Sequence, residues 1–176
     1  MSIIDNQPAN KNFLSPNGFK FGIKKLPNVN FFVQSVNLPS FSLGTVDVEN
    51  PFIKIPFPGD KLTYGQLDVT FKVDEDLANY LELYNWLVGI GYPDNFGQRS
   101  AIEPPNVGLM SGEGVYTDAF LIITNSRMNP NYEVTFKDVY PINLSELAFD
   151  STITDIDYLT CTATFAYRIF TIAVLS

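Results

Sequence analysis

The chain has 176 residues, 45% of them apolar and 14% aromatic, enough to bury one ordinary hydrophobic core. Nineteen acidic against 11 basic side chains leave a formal net charge of -8 and a pI near 4.4. Gripping nucleic acid along its phosphates needs clustered Lys and Arg, and only the Lys24-Lys25 pair offers that.

Met1 to Asn12 is polar and reads as a flexible arm ahead of a single domain over residues 13–176. The arm has no apolar signal-type segment, and no apolar run elsewhere approaches the ~20 residues of a membrane span. Neither export by a signal nor a membrane is expected. Ser15-Pro16-Asn17-Gly18 punctuates the chain before a strand from Phe19 to Lys24, with Phe19, Phe21 and Ile23 on one face and Lys20 and Lys24 on the other. Leu26-Pro27-Asn28 predicts a turn, Phe31 to Asn37 a second strand, and Phe41 to Val48 a further extended run. Pro51, Pro56 and Pro58 confine Phe52 to Phe57 to an edge strand or extended loop that another chain can cover, and Gly59-Asp60 predicts a turn. Leu67, Val69, Phe71 and Val73 then alternate with polar residues, the cleanest half-buried strand in the chain.

Asp74-Glu75-Asp76 predicts a helix start, because acids complement the free N–H groups there. That helix puts Leu77, Tyr80, Leu81, Tyr84, Leu87 and Val88 on one stripe expected to lie on the sheet, with Trp86 off the stripe and available to a contact; Gly89, Gly91 and Pro93 end it. Asp94 to Thr117 has little periodicity and predicts a loop well beyond the ~12–15 residues usual in a compact domain, a candidate subunit contact expected to leave its own sheet. Ala119 to Thr124 and Tyr132 to Lys137 form a hairpin pattern around Asn129-Pro130-Asn131, and Tyr158 to Ile172 alternates as one long strand. About eight strands and one helix with no βαβ alternation give a mainly β fold, an antiparallel β-sandwich or barrel with one packed α-helix.

Chemistry is sparse. Histidine is absent, which removes the commonest general base, the usual catalytic triads and most catalytic zinc sites. Asp74, Glu75, Asp76 and Glu82 are the densest carboxylates, but helix charge compensation explains them. Asp150, Asp155 and Asp157 lack the glycine and closing glutamate of a calcium loop and read as a solvated, capped turn. The single Cys161 has no disulfide partner, shares a strand face with Leu159 and Phe165, and reads as a small packing residue of a chain folded in a reducing cytoplasm. Gly89-Ile90-Gly91 ends a helix where a phosphate-cradling turn would begin one. No catalytic, cofactor-binding or metal-ligating residue is expected, and no cofactor. Trp86 and the nine tyrosines leave a sugar-stacking platform as the main alternative, beside a lipocalin-like carrier with an apolar cavity.

Four blocks in order carry a resemblance. They are Phe31-Phe32-Val33-Gln34-Ser35-Val36-Asn37-Leu38-Pro39; Ile55-Pro56 with Gly59-Asp60 and Leu67-Asp68-Val69-Thr70-Phe71; the acid-headed helix with Tyr84-Asn85-Trp86; and Val139-Tyr140-Pro141-Ile142-Asn143-Leu144-Ser145-Glu146-Leu147-Ala148-Phe149-Asp150 before the terminal strand. Over roughly Phe13 to Ile172 the chain resembles the tail tube proteins of contractile-tailed bacteriophages, a group that includes baseplate tube initiators. The resemblance implies a structural virion protein and not an enzyme, with homo-oligomeric hexameric rings stacking into a tube that conducts DNA without binding it specifically. It also implies tail sheath and baseplate proteins as partners, assembly in the host cytoplasm and a place in the virion tail. The acidic charge and the Thr160, Thr162, Thr164 face fit a wall along which a polyanion slides, provided Lys20, Lys24, Lys72 and Arg168 do not crowd it. The alternative is a carbohydrate-binding β-sandwich module of a phage baseplate or fibre.

Overall fold

Residues 11–102, 114–152 and 157–175 are described by the computed structural model, and strands form among them where apolar and polar side chains alternate. The first, β1 (Phe19–Ile23), turns Phe21 and Ile23 inward as the sequence indicates. The expected turn at Leu26-Pro27-Asn28 is instead the start of a short helix, α1 (Pro27–Phe32), because Pro27 at its first position has its φ already set for a helix. The strand expected from Phe31 therefore begins two residues later, as β2 (Val33–Val36), and leaves Phe31 exposed. Asn30 fixes α1 to the strand before it: its Oδ1 accepts from the Ile23 N–H at 2.7 Å and its Nδ2 donates to the Ile23 carbonyl at 2.9 Å.

Two longer strands follow, β3 (Phe41–Glu49) and β4 (Lys54–Tyr64), paired only with each other. Gly59-Asp60, read as a turn, lies inside β4, and the reversal comes earlier, between Glu49 and Lys54. A two-stranded ribbon gives each strand one unpaired edge, so Pro56 and Pro58 cost it no ladder hydrogen bond that a central strand would need. Gly59 is required by its neighbour across the ribbon, since a Cβ there would stand 2.6 Å from the Gly44 carbonyl oxygen. Next, β5 (Leu67–Lys72) has the expected strict alternation, with Leu67, Val69 and Phe71 fully buried.

The helix α2 (Ala78–Gly91) begins after the acidic triplet, not on it, with Leu77 in the left-handed region at its cap. Its buried side chains are Asn79, Leu83 and Trp86, while Leu77, Leu81 and Tyr84 of the predicted stripe are exposed at 37%, 46% and 50%. The cause is Asn79. Its Nδ2 donates to the Lys72 carbonyl at 2.8 Å and its Oδ1 accepts from the Asp74 N–H at 3.3 Å, satisfying the backbone where β5 ends. The helix carries apolar residues on two sides, and this buried amide decides which side faces in. A short helix, α3 (Gly97–Ser100), then precedes Ile102, whose side chain fills the space left by Gly89. The beginning of the loop region thus packs on the chain's own helix; residues 103–113 of that loop lie outside the described residues.

All remaining pairing is antiparallel. β6 (Thr117–Thr124) joins β1 to β7 (Pro130–Leu144), and the expected single terminal strand is two, β8 (Thr160–Ala166) and β9 (Ile169–Val174), broken at Tyr167-Arg168. The sheet runs β1-β6-β7-β8-β5-β2, with β9 added to β7. β7 pairs β9 up to Lys137↔Ile169 and β8 from Tyr140↔Ala166, the same offset on both sides of the break. One long pair therefore bends and serves two sheet halves, at Asp138, which has φ 57°. Between the halves lie Ile23, Val134 and Phe136 from one and Leu67, Phe71, Ala163 and Phe165 from the other, with Leu83 and Trp86 closing over them. No helix among the described residues is long and apolar enough to cross a membrane.

Leu83→Ala should cost about 2–5 kcal/mol in denaturant unfolding, whereas Leu81→Ala, on the side once expected to be buried, should stay near 0.5 kcal/mol or less. Equal losses at both positions would contradict the orientation of α2.

Candidate functional site

The sequence offered few chemical candidates, and the structure disperses them. Cys161 is 1% exposed on β8; burial pushes its thiol up, against a smaller opposing effect of hydrogen bonding with Ser145, whose Oγ lies 3.4 Å away. Asp74 accepts from the Glu75 N–H at 2.9 Å, and Glu82 Oε1 accepts from Asn28 Nδ2 at 2.7 Å, tying α1 to α2. Asp150 Oδ1 accepts from both the N–H and the hydroxyl of Thr152, at 2.8 and 2.7 Å, and these bonds hold its carboxyl below the usual range, as in a capped turn. Asp155 lies outside the described residues. Among those residues, no three His, Cys, Asp or Glu side chains converge as metal ligands.

The basic pair is spent internally. Lys24 meets Asp118 at 3.1 Å, and Lys25 lies over the Trp86 ring at 4.9 Å while donating to the Gly114 carbonyl. Trp86, expected at a contact, is 1% exposed and donates to the Val115 carbonyl at 3.1 Å. Lys25 and Trp86 together pin the returning end of the long loop to α2, and burial with the nearby Arg99 charge pulls the Lys25 ammonium down. A stacking platform built on Trp86 has no access to solvent.

What remains are two surfaces. The first is the outward face of β5 and β8, where Asp68↔Thr164, Thr70↔Thr162 and Lys72↔Thr160 stand side by side. Thr70 and Thr162 hydroxyls lie 3.0 Å apart, and the Thr164 hydroxyl donates to Asp68 Oδ1 at 2.8 Å. These bonds hold a smooth layer of hydroxyls and carboxylate, in which Lys72 is tied over the Tyr158 ring at 4.4 Å.

The second is the ribbon. Cross-strand partners share a face, and the pairs Phe41↔Tyr64, Leu43↔Leu62, Val46↔Phe57 and Val48↔Ile55 are apolar, whereas Ser42↔Thr63 and Glu49↔Lys54 are polar. The register slips between Leu43 and Thr45, where a step of two residues on β3 meets a step of four on β4. At its root Phe41 and Tyr64 stack edgewise on Phe170 with ring centroids 6.2 and 5.5 Å apart, and Phe41 is still 63% exposed. Farther out, Val46 is 59% and Phe57 52% exposed. A two-stranded ribbon is marginal by itself in water, so the apolar side chains exposed on this one make it a candidate contact surface. Sequence alternation located its strands but not their exposure, which depends on what other layer reaches them.

Comparison with known proteins bears on these surfaces. The description "phage tail tube protein" belongs to the family whose profile matches residues 6–173. The tail tube terminator protein of Enterobacteria phage T4 is 29% identical over 140 residues, covering 78% of this chain and 74% of that protein. The tube-terminating cap of the anti-feeding prophage shares the fold with a TM-score of 0.65 at 15% identity, covering 99% of this chain and 100% of the other. A chain of the sheath–tube complex of an extracellular contractile injection system, PVC, in its extended state follows at 0.62 and 14%, covering 99% of each.

Replacing Val46 and Phe57 together by Asp should leave the unfolding midpoint unchanged, since neither side chain reaches the core, and should abolish self-association in sedimentation. Association as strong as the wild type's would remove the ribbon from consideration. Cys161 should resist alkylation in the folded chain. Because the folded chain holds the thiol proton more tightly than the unfolded one, its contribution to stability is complete below the ordinary thiol pKa of about 8.5 and falls as pH rises through that range.

Proposed function

This chain belongs to the phage tail tube protein family, and from that premise we propose that it forms a hexameric ring ending the inner tube of a contractile tail. A tube-like structural part of a contractile tail system has no need of catalysis, and the proposed role is structural. The observation that carries ring formation is the set of apolar side chains on the β3–β4 ribbon, which a lone subunit leaves in water. A heterologous contact through such a projection closes into a ring when the rotation per subunit divides the circle. Of the stations open to a tube-fold subunit, whether body, initiating end or terminating end, the likeness to the T4 terminator favours the last.

The hydroxyl face of β5 and β8 suits the wall around the axis. A polyanion is retained by clustered cations that release its counterions, and this face offers it Thr70, Thr162, Thr164 and Asp68, with the Lys72 ammonium held over an aromatic ring. On this reading DNA passes without specific binding, sheath and baseplate proteins of the same tail are the neighbours, the site of action is the virion tail, and assembly takes place in the host cytoplasm. The residues from 13 onward act as one domain, with the arm of residues 1–12 and the loop of residues 94–117 at its margins.

Electron microscopy of the purified protein, alone and with tail tubes, tests this directly. Six-membered rings, and rings seated on tube ends, are expected; a protein that stays monomeric and leaves tube ends bare would refute the assignment. Thr162→Lys with Thr164→Lys should leave assembly intact but slow DNA release from the virion, most strongly at low salt.

A further inference from the structure

We propose that residues 2–7 of the N-terminal arm add as an edge strand to β9 of their own subunit and seat an isoleucine on an apolar shelf at the end of the sheet. The contact lies within one chain, so it stands apart from ring formation.

The edge comes first. β9 pairs with β7 and, among the described residues, has no strand on its other side. The Leu175 N–H donates to the Asn131 carbonyl, and the pairs of an antiparallel ladder alternate between bonded and non-bonded. The N–H and C=O groups of Phe170, Ile172 and Val174 therefore point away from β7. Sheets protect such edges with proline, charge, bulges or short strands. The edges elsewhere use those devices. Asn30 occupies the Ile23 N–H and carbonyl on β1, β2 has four residues and an irregular register, β3 carries Asp47 and Glu49, and β4 contains Pro56 and Pro58. The sequence of β9, Ile169-Phe170-Thr171-Ile172-Ala173-Val174, has none of them.

Register then defines the shelf. Phe19↔Ile123, Ile123↔Tyr132 and Tyr132↔Val174 are direct partners, so these four side chains form one apolar row across the end of the sheet, on the side where Val134 and Phe136 are buried. The preceding row, Phe21, Leu121 and Val134, is covered until it reaches Ile172, which is 54% exposed, and Val174 is 67% exposed. The uncovered part of the shelf thus lies along β9, next to the free edge.

Chain connection selects the occupant. Asn12, Phe13 and Leu14 line a hollow of about 550 Å³ with Ile123, Asn131 and Tyr132, so the arm leaves the domain beside the end row. From there to the far side of β9 is two strand spacings, roughly 10 Å, and residues 8–12 span up to roughly 17 Å. Pro8 has no N–H and suits the exit from a ladder, and the six residues 2–7 before it match the six of β9. Tyr132 pairs with Val174, so a strand running back from this point lies parallel to β9. Ile3 and Ile4 take opposite sides of such a strand, and one of them extends the row of Ile172. A tether this short gives the arm a far higher local concentration at its own edge than another copy reaches.

The test uses the full-length protein. In hydrogen exchange, residues 169–174 of the wild type should be protected. One of Ile3→Asp and Ile4→Asp should speed their exchange by about tenfold and the other change it little, with unaltered protection of β5 showing that both variants fold. Two variants that exchange like the wild type, or that speed exchange equally, would overturn strand addition. A chain carrying both Ile4→Cys and Ile172→Cys should be joined within one molecule by a short bis-maleimide, Cys161 being buried. Links that form only between chains, on mixing the two single variants, would overturn the contact by assigning the arm to a neighbouring copy; no link of either kind would overturn it outright. Both readouts are made on a single subunit, so failure of this contact and failure of rings to form are separate results.

Discussion

The bend shared by β7 and the β8–β9 run is the constraint on which the other features hang. A continuous antiparallel pair with a fixed offset has only one way to serve two sheet halves, which is for both strands to change direction at the same level. Asp138 supplies the turn on one strand with φ 57°, a region that Asp tolerates better than most residues. Tyr167-Arg168 supplies it on the other. The Arg168 N–H donates to the Lys137 carbonyl at 3.0 Å, so the ladder is held through the corner, and Arg168 Nε meets Asp138 Oδ2 at 2.8 Å. Both charged groups are well exposed, so the ion pair itself contributes little. The backbone geometry does most of the positioning.

From that bend follows the division of surfaces. The half containing β5 and β8 keeps its inward row of Leu67, Val69, Phe71, Ala163 and Phe165 fully covered, which leaves its other face to hydroxyls and Asp68. The half containing β9 extends past its covering layer, and its inward row comes out into solvent at Ile172 and Val174. One side of the molecule is therefore finished and polar, and another is unfinished and apolar. That asymmetry suits the proposed ring, which would leave a passage smooth while binding its neighbours.

Helix α2 shows a polar residue governing an apolar surface. Leu77, Leu81 and Tyr84 lie on one side and Leu83, Trp86 and Ile90 on another, so the helix is apolar on both. The Lys72 carbonyl and the Asp74 N–H are part-buried at the end of β5, and Asn79 gives both a partner only when it faces in. Trp86 then arrives beneath the Val115 carbonyl and holds the loop end.

The sequence by itself determined the class of fold and the strands with strict period-two patterns, such as Leu67 to Lys72 and Phe19 to Ile23, because alternation there has one interpretation. It also determined the poverty of catalytic chemistry, since histidine is a matter of composition, and four ordered blocks carried the family. The tertiary structure alone decided the face of α2, because an amide's preference for a distant strand end leaves no periodic trace. It decided that Tyr158 to Ile172 is two strands, since the alternation runs on through a bend that only the partner strand enforces. It turned Gly59-Asp60 from a turn into the middle of a ribbon, where glycine answers to Gly44 across the pair and not to its own neighbours in sequence. The contact surfaces belong to the same class: exposure of Val46, Ile172 or Val174 depends on where another layer ends, and no local pattern encodes that.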